Sequence, residues 1–213
     1  MIEIQKFVFN EVFENTYVVW DTDTLETAII DCGCMYPEEK TRLKDFIQSR
    51  KLKPTLLLNT HMHFDHCCGN SFVAEEWHLF PQTHRAEIEQ MPTPSRQLEL
   101  FGMQSDCPEV RVQYIDTDSP LKLGKHDVRV LFVPGHSPGH LAFYIPDAAS
   151  VFVGDVLFLL EIGRCDLWGG SLPTLLQSAR TQLFVLPPNT TVYCGHGPET
   201  SIGYEMENNP YFR

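Results

Sequence analysis

Residues 59–70 read NTHMHFDHCCGN and follow the apolar run Pro54-Thr55-Leu56-Leu57-Leu58. Three histidines and an aspartate, His61, His63, Asp65 and His66, occupy six consecutive positions there. In extended backbone, residues two apart project to the same side, so the His61 and His63 imidazoles can converge on one ion. A zinc ion usually takes four ligands, so four donors in so short a span either fill one site or begin two. Lys53 to Asn59 reads as a buried strand, which sets the donors where a strand gives way to a loop.

Working outward, residues 2–9, 16–22 and 26–31 read as strands, because β-branched and aromatic residues alternate or cluster between polar breaks. Pro37-Glu38-Glu39 reads as a helix start, and Leu43, Phe46 and Ile47 share one face of that helix. Pro92 to Pro108 is rich in proline, serine and polar residues and reads as a long crossover or lid. Beyond it, strands are expected at 111–115, 127–133, 140–145, 150–153 and 191–194. A helix at 172–183 is capped by Ser171 and carries Leu172, Leu175, Leu176, Ala179 and Leu183 along one side. Two strand-rich halves, each followed by a helix, predict an α/β protein with two sheets packed face to face and helices outside.

Further donors sit at later strand ends beside glycine. His136 and His140 lie in PGHSPGH, Asp155 closes VFVGD, and His196 lies in YCGHG. Glycine lets the backbone turn tightly there, so the side chains can face a common edge.

The composition narrows the classes. With 213 residues, 43% of them hydrophobic and 21% charged, the chain suits one globular domain over 1–213. No apolar run approaches the roughly 20 residues of a membrane span, and no membrane partner is expected. The opening MIEIQKFVFNEVF alternates like a strand and lacks the features of a secretory signal, so a cytoplasmic location is expected. The seven cysteines, at 32, 34, 67, 68, 107, 165 and 194, lack the paired spacing of a structural zinc knuckle and read as reduced thiols. A net charge of −12 repels phosphodiester backbones, which argues against nucleic acid as substrate.

Taken in order, HxHxDH at 61–66, His136, Asp155 and His196 resemble the metallo-β-lactamase fold superfamily, a four-layer αββα sandwich with a metal site along one edge. GHSPGH, GRCDLWGG at 163–170 and GHGPETSIGYEMENNPYF at 195–212 most resemble compact glyoxalase II-like hydrolases. These lack the C-terminal helical domain that supplies part of the glutathione pocket in full-length glyoxalase II, so the thiol carrier stays open. The resemblance implies two divalent metal ions, zinc first with iron or manganese as alternatives. His61, His63 and His136 would serve one ion, Asp65, His66 and His196 the other, and Asp155 would bridge. Asp65 and Asp155 are the carboxylates assigned a catalytic part. The implied reaction is hydrolysis, foremost of a small anionic thioester, by a metal-bridging hydroxide. Rivals within the superfamily are a persulfide dioxygenase, holding one iron through residues matching His61, His136 and Asp155, a β-lactamase-like enzyme or lactonase, and a ribonuclease, which the charge disfavours.

The remaining polar residues receive plainer roles. His140 is expected to be a buried hydrogen-bonding residue, Arg164 and Asp166 a salt-bridged brace for the metal loop, and Cys67 and Cys68 small packing residues. His78, His84 and His126 are expected at the surface or in loops. Tyr144, Trp168 and the 92–108 segment are candidates for the wall of a substrate pocket.

Overall fold

The computed structural model describes residues 1–103 and 107–213. Six strands form the first sheet: β1 (Ile2–Phe9), β2 (Glu14–Asp21), β3 (Glu26–Ile30), β4 (Lys53–Leu58), β5 (Pro81–Thr83) and β6 (Gln113–Tyr114), lying side by side in that order. The pairs β1–β2 and β2–β3 are antiparallel, whereas β3, β4, β5 and β6 run parallel. The second sheet has the order β14-β13-β10-β9-β8-β7, built from β7 (Leu121–Leu123), β8 (His126–Phe132), β9 (Leu141–Ile145), β10 (Ser150–Gly154), β13 (Thr191–Cys194) and β14 (Thr200–Ser201). A small hairpin, β11 (Leu157–Phe158) and β12 (Glu161–Ile162), stands apart.

Alternation along the strands explains the layering. On β2, Tyr17 and Val19 join Ala28, Ile30 and Leu58 against Val130, Leu141, Phe143 and Phe152 of the second sheet. Val18 and Trp20 turn the other way, onto Leu43 and Ile47 of α1 (Pro37–Ser49) and, with Ile29 and Leu57, toward Val73 of α3 (Asn70–Trp77), the helix after α2 (Phe64–Cys67). The outer face of the second sheet, Tyr144, Val151, Val153 and Val192, packs on Leu175, Ala179, Leu183 and Ile202. The result is an αββα sandwich whose central strands are buried on both faces.

The two helices expected from the sequence begin where it places them. Pro37 opens α1, and Glu39 reaches back to accept from the Met35 and Tyr36 amides at 2.8 and 3.2 Å. Ser171 caps α6 (Leu172–Ser178) by accepting from the Thr174 amide. The expected 172–183 helix is α-helical only to Ser178, and a π-helical turn carries it from Ala179 to Leu183. Leu172 faces outward, 43% exposed, and so leaves the expected apolar stripe.

Two expectations are corrected. The 92–108 segment, expected as a long crossover or lid, contains a helix: after α4 (Arg85–Glu89), Thr93 caps α5 (Pro94–Leu100), with Pro94 in its first turn. The part of that expectation on 104–106 lies outside the described residues. The strand expected at 111–115 shrinks to Gln113–Tyr114.

Candidate metal centre

The topology brings the donors to one edge. β3 and β4 are parallel, with Ile30 beside Leu58, so Asp31 and the loop carrying His61, His63, Asp65 and His66 leave the first sheet at the same end. β10 and β13 are also parallel, with Gly154 beside Cys194, so Asp155 and His196 emerge together from the second sheet. His136 arrives on the loop between β8 and β9. The second strand pair is brought to the first by the Asn15 amide, which donates to the Gly195 carbonyl at 2.7 Å.

All seven expected residues meet there. His136 Nε2 lies 2.8 Å from His63 Nδ1 and 3.7 Å from Asp155 Oδ2. His196 Nε2 lies 3.3 Å from His66 Nε2, 3.2 Å from Asp65 Oδ2 and 3.6 Å from Asp155 Oδ2. His66 Nε2 is 3.4 Å from Asp155 Oδ1. Donor atoms of His61, His63 and His136 fall within 4.8 Å of one another, as do those of Asp65, His66 and His196. Asp155 thus lies near donors of both triads, His136 of one and His66 and His196 of the other.

Hydrogen bonding fixes which nitrogen four of the five imidazoles present. His136 Nδ1 is 2.7 Å from the Arg164 carbonyl and His196 Nδ1 is 3.1 Å from the Val12 carbonyl, acceptors that require an N–H on Nδ1. Thr60 Oγ1 donates to Asp31 Oδ2 at 2.7 Å, so it must accept from His61 Nδ1 at 3.0 Å. His66 Nδ1 faces the same Asp31 Oδ2 at 3.2 Å. In the neutral form each of these four rings directs an Nε2 lone pair into the cleft. Lone pairs pointed at one another repel unless a cation sits among them. Consistent with that, His61 Nε2 and Asp155 Oδ1 are buried without a hydrogen-bond partner among the described residues. Imidazoles and carboxylates in these proportions fit divalent metal ions.

The surrounding electrostatics divide the histidines. Burial holds His61 and His136 below the ordinary histidine range and takes His63 down to about 3, with neighbouring imidazoles reinforcing the effect at His61 and His63. For His66 and His196 burial acts in the same direction but is outweighed by the Asp155 and Asp65 carboxylates, which raise both. Burial would raise Asp155, yet His66 and His196 hold it well below the usual carboxylate range. The cleft is poised for positive charge beside its carboxylates.

His140 has the expected buried role. Its Nδ1 faces the Leu141 carbonyl at 3.0 Å, its Nε2 accepts from the Asp155 amide at 3.2 Å, and its ring stacks on His61 at 4.6 Å. Arg164 and Asp166 form the expected pair, at 2.7 and 2.8 Å, but both are exposed, and the brace for His136 comes from the Arg164 main-chain carbonyl instead. Cys67 and Cys68 are buried. His78 is the exposed C-cap of α3, His84 caps α4 by accepting from the Ala86 amide, and His126 pairs with Asp147 at 2.8 Å. Tyr144 does not line the site; it lies in the core on the α6 side. Trp168 lies close by, with ring centroids 6.2 Å from His63 and 6.1 Å from Phe101.

Asp31, Glu87 and Gln97 escaped the sequence reading. Besides His66, Asp31 accepts from the Thr60 amide at 2.7 Å. Glu87 accepts from the Met62 amide at 2.8 Å and from Ser137 Oγ and the Gly139 amide at 2.7 and 2.6 Å, clamping the two histidine loops together. Gln97 of α5 accepts from the Phe64 amide and donates to the Met62 carbonyl. Asp31 had a signal: TAIID closes an apolar strand with an aspartate as VFVGD does. The other two had none.

With this geometry in view, the family model for the metallo-beta-lactamase superfamily matches residues 10–196. Hydroxyacylglutathione hydrolase GloC of Haemophilus influenzae is 32% identical over 204 residues, covering 93% of this chain and 92% of its own. The B3 metallo-beta-lactamase BLEG-1 superposes with a TM-score of 0.89 at 31% identity over 99% of both chains. A di-iron-bound form of TTHA1623 superposes with a TM-score of 0.86 at 34% identity, over 97% of this chain and 99% of its own. The chain belongs to the metallo-beta-lactamase superfamily.

Proposed function

We propose that this member of the superfamily is a dinuclear metal-dependent hydrolase of thioesters, of the glyoxalase II type. The observation that carries the reading is the convergence of Nε2 atoms from His61, His66, His136 and His196 with the Asp65 and Asp155 carboxylates on one cleft. His61, His63 and His136 would hold one ion, Asp65, His66 and His196 the other, with Asp155 between them. Zinc is the first choice, although the di-iron form of TTHA1623 keeps iron in view. GloC, whose name assigns it thioester hydrolysis, aligns over nearly the whole chain and supports the reaction class.

Divalent ions held there would supply a Lewis acid and water acidified from a pKa near 16 to about 7. The chain's own contribution is positioning. Asp31, Val12, Thr60 and Arg164 fix the rings through their Nδ1 atoms, and such partners orient ligands and tune their basicity. Asp155, held ionised by His66 and His196, keeps a negative charge between the triads. Water adds across the thioester: a C–O bond forms, the C–S bond breaks, and a water proton ends on the departing thiolate. A thiolate leaves without a strong general acid, which suits a cleft whose titratable groups are nearly all donors toward metal.

The test pairs elemental analysis of the purified protein with hydrolysis of a thioester panel, S-lactoylglutathione included, before and after chelation and zinc add-back. Two ions per chain and chelator-sensitive turnover are expected. One iron per chain without thioester turnover would overturn the reading in favour of persulfide oxidation.

A further inference from the structure

The metal cleft opens into a cavity of about 620 Å³, within the range of roughly 300–1,000 Å³ that suits small ligands. Beyond the donors its walls are mostly hydrocarbon: Val12, Phe64, Phe101, Met103, Phe158 and Leu167. Val12 comes from the β1–β2 turn, Phe64 from α2, Phe101 and Met103 from the end of α5 and just beyond it, Phe158 from the β11–β12 hairpin and Leu167 from the loop after β12. The chain neighbours of the lining residues Val12 and Phe158 continue the character of the walls: Phe13 is 71% exposed, Leu159 40% and Leu160 38%, and the lining residue Phe101 is itself 45% exposed. Exposed apolar residues scattered singly need no explanation, but a cluster around a cleft marks a binding surface.

Backbone conformation adds an independent sign. Phe13 and Leu160 both adopt positive φ, +59° and +58°, at the tips of the two turns that carry Val12 and Phe158 into the cleft. Bulky residues rarely take that conformation, and such strain concentrates at ligand clamps.

Charge points the same way. Among the described residues lining the cavity, Arg164 is the only lysine or arginine, and its guanidinium is already engaged by Asp166 in a two-pronged pair. Lys6, which reaches the Gly197 carbonyl beside the His196 loop, is likewise paired, with Glu199 at 3.3 Å. A carrier with several carboxylates or phosphates would find no unpaired cation on these walls, and buried anions need partners.

We propose that the acyl group this cleft accepts is apolar, a hydrocarbon chain or aryl group, on a thiol carrier without multiple anionic groups. The proposal rests on the thioester reading for the bond cleaved, but not for the group bound. It revises the expectation of an anionic substrate.

The zinc-loaded full chain is titrated calorimetrically with straight-chain carboxylates from acetate to octanoate, the product class. In parallel, kcat/KM is measured for S-acyl-N-acetylcysteamines of the same lengths and for S-lactoylglutathione. Affinity and kcat/KM are expected to rise about fourfold per methylene until the cavity is filled, the order that burial of a CH2 group gives. Phe101→Ser, at an exposed position that leaves the fold intact, and Phe158→Ala should each flatten that slope. A flat carboxylate series overturns the proposal, and it does so even if S-lactoylglutathione is hydrolysed, in which case the thioester reading survives alone. Rising carboxylate affinity with no thioester turned over supports the apolar pocket and removes the thioester reading.

Discussion

Oδ2 of Asp31 lies 3.2 Å from Nδ1 of His66 and also accepts from Thr60 Oγ1, which in turn meets His61 Nδ1. One buried carboxylate thus orients a histidine of each triad. Asp31→Ala should lower metal affinity by about 10- to 100-fold, the usual loss when such an orienting partner is removed. Competition for zinc against a chromophoric chelator measures it. Affinity equal to that of the unsubstituted protein would mean that the two rings are held by packing alone.

Gly195 gives a steric counterpart. A Cβ built there would collide with Asp155 Oδ1 and come within 2.7 Å of His66 Cε1. Gly195→Ala should therefore displace the central carboxylate and lower metal occupancy, while the cores distant from this edge keep the chain folded. Elemental analysis beside circular dichroism separates the two effects; full metal content would show that the His196 loop yields easily.

What could be read from the sequence follows how far apart the cooperating residues lie. His61, His63, Asp65 and His66 share one loop, so their spacing exposes them directly. Asp31 reaches His66 across 35 residues because β3 and β4 pair in parallel, and only the strand-ending aspartate hinted at it. Glu87 acts from the five-residue helix α4, too short to leave a periodic pattern. The α5 helix carried its own start signal, Thr93 before Pro94, yet with only seven residues its composition is that of a loop. Tyr144 lies on β9, which is buried on both faces, so alternation could not say which sheet face it joins.

Glu87 makes stability depend on pH in a calculable direction. Burial lifts its carboxyl from 4.5 to about 7, against the downward pull of its three donors. The unfolded chain then ionises first as pH rises, so this contribution is fully present below pH 4.5 and is lost as pH climbs through about 7. The full change is on the order of 3 kcal/mol. Glu87→Gln should remove that part of the pH slope and cost about 1–3 kcal/mol at low pH, because its amide nitrogen would face the Met62 N–H and leave a buried donor unpaired. Denaturant unfolding of both proteins from pH 4.5 to 8 tests this; equal slopes would show that Glu87 is ionised throughout.

Metal removal should destabilise the chain in proportion to how exclusively the folded state assembles the donors. The centre draws on Asp65 and His66 from one sheet edge and His136, Asp155 and His196 from the other half, so an unfolded chain cannot gather them. A ligand that binds only the folded state stabilises it by about 4 kcal/mol when present at a thousand times its Kd. Thermal unfolding should accordingly fall by several degrees on chelation and recover with added zinc. In Asp155→Ala, which lacks the carboxylate between the triads, the zinc-dependent recovery should shrink sharply. A variant that regained the full shift would show that the two triads bind metal independently, and Asp155 would lose the bridging role proposed for it.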